Sequence, residues 1–384
     1  MNRGVNHRGG FKAAWILSCF FVTLLLMLVQ RGYCADPSRT SPATPAASSP
    51  AFTPGKVPTE EEVSTVKDKF RDEMDAYRKN VSQLFADSDF DALDALADKA
   101  RTTKARFPAN GEWQIMEFYL AMDCRKKDPE STWQLHDDTL KKWVAAKPQS
   151  VTAFMAQASF LTKYAWRARG DDYGDKVTAD GWRLFRERLE RAQSALTLAG
   201  GLKQKCPMWW RNQMVVALGM DWDRGKFEKL YAEAKAFDPD FIAYDIRLAQ
   251  YLMPRWHGEP GDWEAAAERE ISRPGPGLEG YARVVMEQVG YYENIFRDSK
   301  ASWPKTRDGL EEMRRKYPEW HGLANMYALL ACLAGDRPTA QKLFTEIGLQ
   351  IELGAWYSKW NFIRYWKWAH DDKNTETIEY HRGN

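Results

Sequence analysis

The residues with the most chemical capacity come in a repeated tripeptide, Trp256-His257-Gly258 and Trp320-His321-Gly322. An imidazole beside an indole could move a proton at a rigid aromatic wall, and its charge changes close to neutral pH. The same tripeptide also describes the turn that starts a helix, its Trp packed into the core, and that plainer reading is favoured for both copies. His257 is the better functional candidate, because Arg255, Glu259, Asp262 and Trp263 surround it in a Pro- and Gly-rich loop, the kind of segment that displays binding residues. Arg167 and Arg169, followed by Asp171 and Asp172, form a second polar group. Charge pairing at a helix end explains it without recourse to the adhesion tripeptide Arg169-Gly170-Asp171.

Other chemistries lack their residues. His136, His257, His321, His370 and His381 include no pair spaced as in H-E-x-x-H, so a zinc protease site is not expected. The acidic run Asp171-Asp172-Tyr173-Gly174-Asp175 lacks the alternating carboxylates and the closing Glu of a calcium loop. No phosphate-cradling G-x-x-x-x-G-K-[ST], no G-x-G-x-x-G after a strand and no G-x-S-x-G nucleophile elbow is present. No metal, cofactor or catalytic residue is therefore expected. Lys and Arg total 55 against 53 Asp and Glu, which leaves no basic excess to neutralise a run of phosphates and argues against nucleic acid.

The 17 Trp are the compositional anomaly, since so much ring area needs either a deep core or a contact surface. The densest group is Trp356, Tyr357, Trp360, Phe362, Trp366 and Trp368. Core packing of a last, capping helix would take Trp356, Trp360 and Ile363, leaving Trp366 and Trp368 for a partner, a headgroup layer or a sugar. Cys124, Cys206 and Cys332 fall within helical stretches without C-x-x-C spacing and read as small buried hydrophobes.

Stepping along the chain, residues 1–35 read as a targeting segment, with Arg3, Arg8 and Lys12 before an uncharged run over residues 13–30. The run is longer than a usual signal core and near the minimum for a spanning helix, so a cleaved signal and a retained anchor both stand; a lipidated Cys34 is less favoured. Residues 36–58, rich in Pro, Ser, Thr and Ala, form a flexible tether. Thr59 with Glu62 reads as a capping box opening a helix through Val63, Val66, Phe70, Met74 and Tyr77. The folded domain is expected over residues 59–372, with a polar tail over 373–384.

Helical periods dominate that domain. Phe90, Leu93, Leu96, Ala97 and Ala100 make one amphipathic stripe, and further helices are predicted over residues 111–123, 131–145, 150–169, 180–198, 207–221, 226–237, 241–252, 262–271, 278–296, 305–316, 320–334, 337–347 and 358–370. Short Pro- or Gly-containing connectors make neighbours antiparallel. Residues 323–347 fit the tetratricopeptide pattern: Ala328 at the close crossing, Gly335-Asp336 in the turn, Ala340, then Phe344 packing back. Residues 210–239 are a weaker copy, in which Phe227 stands where a small residue belongs and should hold its pair wider or rotated. Residues 89–108 are a third, degenerate one. The expected fold is all-α, an irregular TPR-like α-solenoid of stacked antiparallel hairpins.

Two stretches carry a family resemblance: Tyr164-Ala165-Trp166-Arg167-Ala168-Arg169-Gly170 leading into Asp180-Gly181-Trp182-Arg183-Leu184-Phe185, and residues 251–263, which read Tyr-Leu-Met-Pro-Arg-Trp-His-Gly-Glu-Pro-Gly-Asp-Trp. Through them the chain resembles a bacterial family of exported tetratricopeptide-like proteins of unknown function, over roughly residues 85–350. The resemblance implies a helical repeat fold and brings no activity with it. Stacked hairpins suit a non-catalytic scaffold for a protein or peptide of the cell envelope, with residues 13–30 holding the membrane if they are not cleaved. The alternatives are a cell-wall hydrolase with Trp walls, and a small-molecule binder walled by Trp166, Trp182, Trp256 and Trp263. The candidate binding surface is Arg167, Arg169, Trp182, Arg255, Trp256, His257 and Trp263.

Overall fold

The first turn of a helix leaves amides without intrahelical acceptors, and this chain supplies side-chain oxygens at many of those points. Ser150 accepts from the Ala153 amide at 3.0 Å, Thr178 from Gly181 at 3.0 Å, Asp223 from Lys226 at 3.0 Å, Asp336 from Thr339 at 3.1 Å and Ser358 from Asn361 at 3.1 Å. The computed structural model describes residues 56–68, 70–170 and 174–380, and these fold as an all-α structure. The expected targeting segment, nearly all of the tether and Asp171, Asp172 and Tyr173 of the acidic run lie outside the described residues. Among the described residues no helix is long and apolar enough to cross a membrane.

In chain order, strand β1 (Ser64–Thr65) precedes α1 (Phe70–Ala86), α2 (Phe90–Thr102), α3 (Gln114–Ala121), α4 (Glu130–Ala146), α5 (Val151–Arg169), α6 (Ala179–Gly201), α7 (Pro207–Gly219), α8 (Arg224–Phe237) and α9 (Ala243–Tyr251). There follow α10 (Asp262–Ile271), α11 (Gly277–Gln288), α12 (Ile295–Asp298), α13 (Trp303–Lys316), α14 (His321–Leu333), α15 (Arg337–Ile347), β2 (Gln350–Ile351), α16 (Leu353–Trp356) and α17 (Lys359–His370).

Successive helices pack as hairpins, and α5, α7, α9 and α11 also touch next but one, so that they form a single row. Their partners are buried along one stripe only, as in α6, where Phe185, Leu189, Ala192, Leu196 and Ala199 face inward. The row itself is enclosed on both sides: all nine residues of α9 are buried. Its far side is covered by the chain's own N-terminal part. Trp113 packs edge-on to Phe241 at 5.1 Å, Lys104 pairs with Asp238 at 3.1 Å, and Arg283 donates to the Asn110 carbonyl at 2.6 Å. Gly111 permits this approach: its φ is +73°, and a Cβ there would lie 2.2 Å from the Tyr317 hydroxyl.

The two ends of the array are joined. β1 and β2 pair in parallel, Ser64 with Gln350 and Thr65 with Ile351. Arg71 donates to Glu352 at 2.7 Å with both buried, and Asp68 accepts from the His321 and Gly322 amides at 2.7 and 3.0 Å, at the N-terminus of α14.

Several expectations change. Thr59 and Glu62 do exchange capping-box hydrogen bonds, at 2.9 and 3.4 Å, yet they close a turn before β1, and the helix begins only at Phe70. The single helix predicted over residues 278–296 stops at Gln288 and passes through a 3-10 turn at Val289–Tyr291. Asn294 then caps α12 and also donates to the carbonyls of Leu333 and Ile378 at 2.8 and 3.1 Å. At the C-terminus the aromatic roles are reversed: Trp366 and Trp368 are buried with Trp356, whereas Trp360 is 56 % exposed. Ile378 and Tyr380 are buried, so this part of the polar tail packs on the domain. The hairpin of α14 and α15 packs as expected, with Ala328, Ala340 and Phe344 fully buried. Phe227 lies flat against Tyr251, ring centres 3.8 Å apart. Cys124, Cys206 and Cys332 are free and buried.

Candidate functional site

Arg169 ends α5, Gly170 follows it at φ +77°, and Trp182 of α6 lies beside the Arg169 guanidinium. The Arg169 guanidinium stands 5.6 Å from the ring centre of Trp166, 5.5 Å from Trp182 and 6.0 Å from Trp256. Arg255 lies 5.8 Å from Trp256 and 5.6 Å from Tyr291. Arg169, Trp182, Arg255 and Trp256 are thus gathered in one cation–aromatic cluster.

The other three candidates stand apart. Arg167, two positions before Arg169 and so on another face of α5, pairs with Glu130, donates to the Asp128 carbonyl at 3.2 Å and lies 5.1 Å from Trp133. Trp263 is fully buried, its indole N–H donating to the Tyr292 hydroxyl at 2.7 Å. His257 stacks on Tyr251 at 4.3 Å, with its Nε2 3.5 Å from Asp221. Asp262 pairs with Arg224 at 2.6 Å and accepts from the Glu259 amide at 3.0 Å, which fixes the loop's shape.

A larger polar constellation occupies the enclosed face of the α5, α7, α9, α11 row. It is well satisfied at one end. Arg78 donates to Glu117 at 2.5 Å, Arg283 donates to Glu112 at 3.0 Å and to Glu279 at 2.9 Å, and Glu279 also accepts from Lys316 and Tyr317 at 2.8 and 3.1 Å. At the other end stand Ser159 and Lys163 of α5, Arg211 and Asn212 of α7, Arg247 and Gln250 of α9, and Glu287 of α11. Lys163 pairs with Asp123. Asn212 donates to Ser159 at 2.8 Å and accepts from Arg211 at 3.0 Å, while Gln250 accepts from Arg247 at 2.7 Å.

Five of the other buried arginines, Arg71, Arg78, Arg101, Arg188 and Arg283, each meet a carboxylate, and Arg169 lies among the aromatic rings described above. Arg211 and Arg247, 8 % and 7 % exposed, meet only amide oxygens among the described residues. Each guanidinium has five N–H groups, and both Nε–H groups lack an acceptor. Gln288, fully buried, has neither its amide oxygen nor its nitrogen hydrogen-bonded. A buried polar group without a partner costs about 1–3 kcal/mol, and a charge more.

Burial pushes the Glu287 carboxyl up, against the pull of Arg247. Burial and the neighbouring charges of Arg211 and Arg247 hold the Lys163 ammonium well down. Arginine stays protonated in proteins, so this end of the row is positive. Lys163 and Glu287 remain half-buried. None of these residues makes a local motif, because each helix contributes one or two and the hairpins alone bring them together. The available signal was a polar residue interrupting an apolar helix, as Arg211-Asn212-Gln213 interrupts α7 and Glu287-Gln288 follows Val284-Val285-Met286 in α11.

Residues 77–210 match a family described as Domain of unknown function (DUF4034). The match runs from within α1 to the first turn of α7, so it includes Lys163, Arg169 and Trp182 and ends just before Arg211. No curated protein and no solved structure gives a significant match to the chain.

Proposed function

We propose that the chain is a non-catalytic binding module that takes a small molecule into the polar recess between α5, α7, α9 and α11. The observation that carries this reading is the pair of buried guanidinium groups, Arg211 and Arg247, that meet only amide oxygens among the described residues. Evolved interiors satisfy or exclude such groups, and ligand sites are where convergent polar groups stay available. The small-molecule alternative gains over the peptide groove because the row that a peptide would follow is covered by residues 104–113. The aromatic cluster around Arg169 adjoins this recess through Arg255 and Tyr291 and would form one wall. The module's place in the cell envelope, and its tie to the membrane through residues 13–30 if uncleaved, rest on the basic and apolar pattern of residues 1–35.

Thermal melting of the full-length chain against a panel of sugars, carboxylates, phosphates and amines tests the proposal. At least one compound should raise the melting temperature in a saturable way, and Gln250→Leu should abolish the shift. A panel without effect, or shifts indifferent to Gln250→Leu, would refute it.

A further inference from the structure

Resting on that reading, we infer that the recess receives an oxyanion, a carboxylate or phosphate group of a small molecule, seated between Arg211 and Arg247. The contrast within one polar network leads there. Every salt-bridged arginine at the opposite end has a carboxylate already supplied by the chain: Glu117 for Arg78, and Glu112 with Glu279 for Arg283. Arg211 and Arg247 have amide oxygens in those places, from Asn212 and Gln250. An amide is neutral and presents a single oxygen, which leaves the guanidinium's charge uncompensated, whereas the two oxygens of an oxyanion accept the fork of parallel N–H groups.

The surroundings select the sign of the ligand. Lys163 is already paired with Asp123, so the balance facing the recess is two guanidinium groups against the single carboxyl of Glu287. A cation would meet both arginines with at most one carboxylate to offset them. A neutral polyol could use Gln250 and Asn212 but would leave two buried positive charges uncompensated. An oxyanion satisfies the arginines. Burial favours the protonated form of Glu287, in which it donates a hydrogen bond to the same group.

The test uses the full-length chain, with glucuronate, succinate and inorganic phosphate as probes and with glucose and sodium chloride at matched ionic strength as controls. One or more of the three anions should raise the melting temperature saturably, beyond the effect of sodium chloride, and bind measurably by calorimetry. Arg211→Gln and Arg247→Gln should each weaken binding tenfold or more, and Arg247→Lys, which keeps the charge and loses the fork, should recover only part. If glucuronate or succinate acts and phosphate does not, the group is a carboxylate; the reverse identifies a phosphate. Without ligand, Arg247→Met should melt a few degrees higher than the unaltered chain, because it removes a buried charge that lacks a carboxylate. A lower melting point would make Arg247 structural and overturn the inference. Anions acting no more strongly than sodium chloride, or equally on Arg211→Gln and Arg247→Gln, would overturn it too. Stabilisation by glucose that is lost in Gln250→Leu but kept in both arginine variants would overturn the oxyanion and leave the binding module standing. No response to any probe would count against both.

Discussion

His136 shows what enclosure does to a single side chain here. Its imidazole is stacked between Phe85 and Phe160, ring centres 4.4 and 5.0 Å away, and burial lowers its pKa to about 4, against a hydrogen bond to the Met122 backbone. A histidine with a depressed folded pKa adds stability that is complete above its unfolded pKa, near 6.5, and is lost as pH falls through 4. Between those limits the loss reaches roughly 3 kcal/mol. Denaturant melts at pH 7 and pH 4.5 should therefore differ, and His136→Phe should shrink the difference; an unchanged pH profile would remove His136 as its source. Legibility at this scale followed local context. The gathering of Arg169, Trp182, Arg255 and Trp256 could be foreseen because each pair lies within a few residues of a loop that folds back. Arg211 and Arg247 read locally only as polar residues interrupting apolar helices, and nothing local says that the packing of α7 beside α9 brings them together.

At the level of elements, the helix faces are set by residue size. Ala328 and Ala340 are fully buried where α14 crosses α15, and only small side chains let two axes come so near. Ala328→Leu should cost about 1–3 kcal/mol in denaturant melts through overpacking, whereas a change at exposed Trp360 should cost little. An Ala328→Leu chain as stable as the unaltered one would show that the crossing has slack. The class, the hairpins and most helix limits were legible from periodicity and turn residues, and α10 and α15 fall on the expected limits. What periodicity missed depends on distant partners. Residues 64–65 become a strand only because residues 350–351 lie beside them. The run after Gln288 leaves the helix where Asn294 finds carbonyls from α14 and from residue 378. The faces of α17 were exchanged because both carry rings, so the aromatic pattern could not say which side would meet α15.

For the molecule as a whole, the stability of stacked hairpins is ordinarily a sum over neighbours, and the ends fray first. Here β1 pairs with β2 and Arg71 with Glu352, binding the two ends together. Glu352→Ala leaves Arg71 buried without its carboxylate and should cost about 3–5 kcal/mol. Hydrogen exchange should then rise in α14 to α17 and in residues 63–68 together; a rise on one side alone would mean that the ends open independently. The join also bears on ancestry. An open solenoid lengthens by duplicating a hairpin, each copy displacing the terminus by one more step. In this chain an added hairpin would carry residues 350–352 away from residues 64–71 and break the pairing of β1 with β2 and of Arg71 with Glu352.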